Sequence, residues 1–292
     1  MLKILNFKIS YIKTFLKFLD DLKLYLLRFS ILLSKFIPKL VLEFIFRLVA
    51  IFWFLTDKKR KLAVKNNLNI ILGKSNNKLI YKTFENYMLN FVDFLKIKYT
   101  SCDEILKNLK VENLEVLENA YKIKKKVILL SAHLGNWEYA LSFISCLGYK
   151  AMAIVEAIDP RWLKTLNELR GSKGAKLVLN NQIREIIKFL NNEGILVVVA
   201  DRYVGGAYKE CNLFNHKRKI PIGIFKINEK FKLPMVFAFV IKEKNYYLGI
   251  VQDSYYSENP SFEEMLNFYL RNVEIALKKY PTYFFSFDFN WK

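Results

Sequence analysis

Two histidines, three cysteines, six prolines and ten glycines are all that this chain of 292 residues carries of those types. Acidic residues are scarce as well, 27 Asp+Glu against 47 Lys+Arg, which leaves a formal net charge of +20. Each shortage excludes something. Cys102, Cys146 and Cys211 are odd in number, far apart and without paired spacing. That argues for a reducing compartment and against a disulfide framework or a zinc site. His216 has no metal-ligand spacing to His133, so no metal ion is expected. There is no G-x-S-x-G elbow, no P-loop and no G-x-G-x-x-G turn. Nothing resembles an RRM signature or an array of recognition helices, and Gly171-Ser172-Lys173-Gly174 matches a KH loop in spacing alone. Long apolar runs are missing too. In the N-terminal region the longest uncharged stretch, Leu48 to Thr56, is well short of the roughly 20 residues that a membrane-spanning helix needs.

What is present is unusually apolar and unusually basic at once. Hydrophobic residues make up 53% and aromatics 16%, with 25 Phe and 17 Tyr. Such a composition implies apolar surface that meets something other than water. Combined with the positive charge, it favours an anionic membrane surface, an acidic protein partner or a phosphorylated substrate. Charge alone leaves nucleic acid open. The length suffices for a full core, as one domain or a domain with an appendage.

Along the chain, residues 1–35 are rich in Leu, Phe and Ile but broken by Lys3, Lys8, Lys13, Lys17, Lys23 and Arg28, so no signal-peptide core is expected. After Pro38 comes LVLEFIFRLVAIFWFL, ending at Leu55. Lys35, Lys39, Glu43 and Arg47 recur every four residues and form one polar stripe on an otherwise apolar helix. This pattern suits an interfacial, membrane-associating helical region over residues 1–56, with the main domain at 57–292. A helix packed within the domain fits the same pattern. Residues 58–98 read as two helices divided near Gly73, the second with an apolar face of Phe84, Tyr87, Met88, Phe91, Phe94 and Leu95. From about residue 111, aliphatic runs alternate with amphipathic segments. Strands are expected at 127–130, 151–155, 177–179, 195–199 and 235–241, and helices at 136–147, 160–170, 181–192, 221–231 and 261–279. The alternation means an α/β fold around a central mixed, partly parallel sheet flanked by helices.

The most informative stretch is KVILLSAHLGNWEYA. A buried strand runs into a turn holding His133, Gly135 and Asn136, with Asn136 placed to cap the next helix. His133 therefore stands at the carboxyl end of a strand, where open α/β sheets put their chemistry. Glu138 lies five residues on, about 140° away on a continuous helix, and reaches the imidazole only if the chain bends at Gly135. An imidazole held by a carboxylate takes protons from hydroxyls near neutral pH. The spacing alone fits equally an isolated turn histidine beside an ordinary first-turn acid. Arg170, before a glycine-containing turn, suits a carbonyl, phosphate or oxyanion, or is a plain last-turn arginine. Asp201 and Arg202 follow the strand ILVVV and stand at the same sheet edge or form a local ion pair. Lys217-Arg218-Lys219 to Gly223 reads as a basic loop feeding a Pro-started helix, either an anion site at that helix's N-terminus or a solvated loop.

Taken in order, these segments resemble the bacterial lipid A late acyltransferases, members of the H-x4-[DE] acyltransferase superfamily. SAHLGNWE carries the signature. KKRKLAVKNNL with Asn67-Leu68, Arg170 with Gly174 as R-x3-G, ADRYVGG, Pro221-x-Gly223 and YPTYFFSFDFNW follow in the family's order from about residue 30 onward. Leu213-Phe214-Asn215 stands where the family has an aromatic pair and glycine, and Tyr203 where an acid often follows Asp-Arg. The resemblance implies a cofactor-free, metal-free acyltransferase at the cytoplasmic face of the inner membrane. Its donor would be acyl-acyl carrier protein and its acceptor a lipid, a phosphorylated glycolipid of the lipid A type or else another glycolipid, aminolipid or phospholipid, with no nucleic acid involved. It implies His133 as general base, Glu138 as the acid that orients it, and Arg170, Arg202 or backbone amides near Gly135 and Asn136 as oxyanion donors. Asp201 joins these as a binding residue.

Overall fold

The computed structural model describes residues 19–243 and 246–291; the lysines at 3, 8, 13 and 17 lie outside them. Residues 19–34 are helical (α1). They are followed by α2 (Lys39–Thr56), α3 (Lys58–Leu72), α4 (Asn77–Lys96) and α5 (Cys102–Asn108), then β1 (Leu109–Glu112), α6 (Leu114–Lys124) and β2 (Lys126–Ser131). Next come α7 (Trp137–Cys146), β3 (Ala151–Val155), α8 (Pro160–Arg170), β4 (Lys176–Leu179), α9 (Ile183–Leu190) and β5 (Gly194–Val199). The chain continues through β6 (Tyr208–Leu213), β7 (His216–Pro221), α10 (Gly223–Phe231), β8 (Met235–Lys242), β9 (Tyr247–Tyr255) and α11 (Phe262–Lys279).

A mixed, mostly parallel sheet of seven strands runs in the order β1-β9-β8-β2-β5-β3-β4. The five strands from β8 to β4 are mutually parallel, and β9 reverses against β8. Strands β2 and β5 lie in the middle and are almost wholly buried, which is why they read as unbroken aliphatic runs. Apolar clusters cover both faces of this sheet.

The helices begin where short polar side chains accept orphan amides: Asp57 from Arg60, Asn76 from Leu79, Asn136 from Tyr139 and Ser261 from Glu264. The expected Asn136 cap is therefore present. Two expectations fail. Lys217–Lys219 is no loop: these residues lie in β7, which pairs with β6 as a separate two-stranded hairpin, and α10 begins at Gly223, after Pro221 has ended the strand. Its tip is a two-residue turn with Phe214 and Asn215 both at positive φ, as a right-twisted hairpin requires. Nor are the cysteines all free. Cys102 at the start of α5 and Cys146 at the end of α7 form a disulfide across a Cα–Cα distance of 5.3 Å, while Cys211 stays free and buried. Helix packing, not sequence spacing, brings the pair together.

Helix α2 is turned inside out. Its charged stripe faces the protein: Lys39 pairs with Asp93 at 2.8 Å, Glu43 with Lys242 at 2.6 Å, and Arg47 with Glu85. Its apolar side faces outward, with Leu40 80% and Phe52 68% exposed; Phe36, between α1 and α2, is 71% exposed. Tyr25, Leu26 and Phe29 continue this surface on α1. Among the described residues no helix is long and apolar enough to cross a membrane.

Candidate active site

The parallel register brings the site together. Ser131 of β2 pairs with Val199 of β5, and the Ala200 amide donates to the Ser131 carbonyl at 3.2 Å. Two residues beyond each of those partners stand His133 and Asp201. The Asp201 carboxylate accepts the His133 backbone N–H and meets ring Nδ1, both at 2.8 Å through Oδ1. A carboxylate only accepts, so Nδ1 carries a proton, and in the neutral imidazole Nε2 keeps its lone pair. Burial by itself would raise the Asp201 carboxyl. The charge and hydrogen bonds of His133, with the Arg218 guanidinium, outweigh it and hold the group at about 2.

Glu138 does not hold the imidazole. It is the second residue of α7, and its carboxylate takes the Arg170 guanidinium, with Nε at 2.9 and 3.0 Å and Nη2 at 2.7 Å. The Trp137 indole also donates to it at 3.2 Å, and the Trp137 ring meets His133 edge-on at 5.1 Å. The reason is directional. The chain bends at Gly135, as expected, but α7 then carries Glu138 towards the end of α8, while the strand neighbour supplies the carboxylate to His133. Burial pulls the Arg170 guanidinium down, yet the Glu138 charge and hydrogen bonds raise it overall.

The backbone amides of Gly135 and Asn136 meet partners within the fold. The Gly135 amide donates to the Tyr283 carbonyl at 2.9 Å and the Asn136 amide to the Val240 carbonyl at 2.6 Å, so both are occupied. Their role is to fix the turn. Gly135 sits at φ +67°, and a Cβ there would lie 2.0 Å from the Val240 oxygen, a position only glycine can take. Arg202 is half-exposed, 3.8 Å from Glu156 at the end of β3.

Several residues escaped the sequence reading. Asn90 donates to the Gly135 carbonyl at 2.9 Å, and the Asn136 side chain donates to buried Asp93 at 3.1 Å. Asn86 reaches the Thr282 carbonyl at 3.2 Å. Asn86, Asn90 and Asp93 fall at i, i+4 and i+7, a polar row on an otherwise aromatic helix, and that spacing was visible. Arg218 stood in the sequence only as one member of a basic segment; it is buried in β7, its Nε donating to the Asp201 carbonyl at 3.0 Å. The C-terminal segment also closes on the site, with the Phe285 amide on the His133 carbonyl at 2.8 Å.

Beside Trp137 an apolar cleft enters the molecule between α6, α7 and the β8–β9 side of the sheet. Ser131, Leu117, Phe143, Val240 and Gly249 line it, almost without polar surface. Among the described residues no group of three or more His, Cys, Asp or Glu side chains could hold a metal. The site thus combines an oriented imidazole, a fixed guanidinium and a greasy slot.

Comparison with known sequences is consistent with this arrangement. The family model described as bacterial lipid A biosynthesis acyltransferase matches residues 12–292. No curated protein matches the chain.

Proposed function

Since the chain belongs to the bacterial lipid A biosynthesis acyltransferase family, we propose that it moves a fatty acyl chain from an acyl carrier protein thioester to a hydroxyl of a lipid A precursor, with His133 as general base. The observation that carries this reading is the His133–Asp201 pair. It leaves Nε2 unprotonated at the edge of a site whose neighbour, Trp137, lines an apolar cleft.

In the proposed reaction Nε2 takes the hydroxyl proton as the acceptor oxygen attacks the thioester carbonyl. The tetrahedral intermediate collapses with loss of the thiolate, which recovers the proton from the imidazolium. No enzyme nucleophile is needed. Asp201 holds the tautomer and stabilises the imidazolium, the part first expected of Glu138. Glu138 instead positions Arg170, and Arg170 supplies positive charge to the oxyanion. The acyl chain lies in the cleft along α7. The outward apolar face of α1 and α2 rests on the lipid surface, its inward charges already paired. An acidic carrier protein and an anionic lipid both suit a chain of net charge +20.

The test is purified protein given acyl carrier protein charged with a labelled chain and a panel of lipid acceptors. His133→Ala should lower kcat by roughly a thousandfold or more without unfolding the protein. Undiminished transfer by that variant overturns the mechanism. Asp201→Asn and Glu138→Gln divide the two carboxylates. Loss concentrated in Asp201→Asn supports the pairing described above, whereas loss in Glu138→Gln alone restores the other assignment.

A further inference from the structure

Arg218 is 2% exposed, and neither of its terminal nitrogens has a hydrogen-bond partner among the described residues. Its flat faces are covered: Phe284 lies 5.3 Å and Trp291 4.6 Å from the guanidinium carbon. Its Nε is used by the Asp201 carbonyl, and its nearest carboxylate oxygen, Asp201 Oδ2, is 3.7 Å from Nη2, too far for a hydrogen bond. A stacked guanidinium with two open edge donors is expensive to bury unless something accepts from it.

Arg218 belongs to the lining of a cavity of about 200 Å³ between the β6–β7 hairpin and the C-terminal segment, its terminal nitrogens shielded from solvent. Lys217, Lys219, Tyr203 and Asn290 contribute to the same wall. Lys219 lies over the rings of Tyr203 and Tyr208, at 5.4 and 4.4 Å, which keeps its ammonium at the rim. Of the acids of the wall, Asp201 serves His133 through Oδ1 while its Oδ2 makes no hydrogen bond, and Glu210 stands opposite Lys219 in the hairpin register.

We propose that this cavity is a phosphate-binding subsite, in which Arg218 grips two oxygens of a phosphate carried by the acyl acceptor and Lys219 supplements it from the rim. A phosphate presents several acceptor oxygens and negative charge to a fork of N–H donors, the match that arginine makes best. The phosphate belongs to the acceptor because of how the two hollows meet His133. The apolar cleft lies beside Trp137 and takes the acyl donor's chain; the cavity shares Asp201 with the His133 pair and is left for the other substrate. This assignment of ownership rests on the proposed acyl transfer, whereas the binding of phosphate does not.

The experiment therefore has two arms. In the first, inorganic phosphate is titrated into the full chain at constant ionic strength and read by melting temperature and tryptophan fluorescence. Wild-type protein should respond saturably, Arg218→Lys should bind about tenfold more weakly, and Lys219→Gln about threefold more weakly. Near-UV circular dichroism reports whether each variant is folded. Should Arg218→Lys not fold, Lys219→Gln at the solvent-facing rim carries the comparison alone. No phosphate response in wild type, or the same response in the folded variants, overturns the subsite. In the second arm, Lys219→Gln should raise KM for the phosphorylated acceptor about threefold over wild type, leave kcat and the donor KM unchanged, and show no such change with a dephosphorylated acceptor. A rise in the donor KM instead overturns the assignment to the acceptor. Phosphate binding without any acyl transfer by wild type sinks the proposed function and leaves the subsite standing.

Discussion

Helices α2 and α11 are both 18 residues long and both amphipathic, yet they face opposite ways. In α11 the apolar side, including Met265, Phe268, Tyr269, Val273 and Leu277, is buried against the sheet, and the charges face water. In α2 only Leu42 and Ala50 are buried, and the charged stripe is the side that touches the protein. Periodicity gives the two faces of a helix but not which one meets the core. The ion pairs decide it: Lys39, Glu43 and Arg47 find partners on α4 and β8, so the apolar face is left outside.

The contrast can be broken most sharply by adding charge. Leu277→Asp should cost on the order of 4 kcal/mol or more and abolish folded protein, while Phe52→Asp should shift stability by about 0.5 kcal/mol or less. Thermal unfolding of the two variants side by side checks this; equal losses would mean that α2 is an ordinary core helix. Next in size is Asp93→Ala, which takes the carboxylate from Lys39 and from the Asn136 side chain and should cost about 2 kcal/mol in the same melts. A membrane readout comes third. Each of Phe36→Ser, Leu40→Ser and Phe52→Ser should weaken binding to anionic vesicles on the order of tenfold, measured by flotation, with melting almost unchanged. Smallest is Arg271→Ala on α11, which breaks an exposed pair with Asp253 at 2.7 Å and should cost about 0.5 kcal/mol or less.

The same asymmetry explains what could be read in the sequence. Strands β2, β3, β5 and β8 announced themselves because parallel strands buried on both faces are aliphatic throughout. β1 is only four residues long, β9 carries Gly249 and polar residues, and β6–β7 has no apolar run, so none of these was visible. His133 was legible from its turn, and Asp201 and Arg170 from their places at element ends. Their partners were not. Which carboxylate reaches His133 depends on β2 and β5 being neighbours in a given register, a fact of tertiary pairing that the linear spacing to Glu138 does not contain. Arg218 was legible only in part: its basic segment suggested an anion site or a solvated loop, and only the hairpin shows that this arginine, unlike Lys217, turns inward.

The segment from Thr282 to Trp291 has a consequence in time. It supplies the carbonyls that hold Asn86 and Gly135, the amide on His133, the Ser286 carbonyl on Asn67 and the indole that both stacks on Arg218 and donates to Asn67 at 2.6 Å. Chains fold from their N-terminus as they are made. The sheet can therefore form while this segment is still being synthesised, but the turn that carries His133 is not braced until it arrives. Cutting the chain after Pro281 would leave every strand of the sheet in place and His133 unsupported.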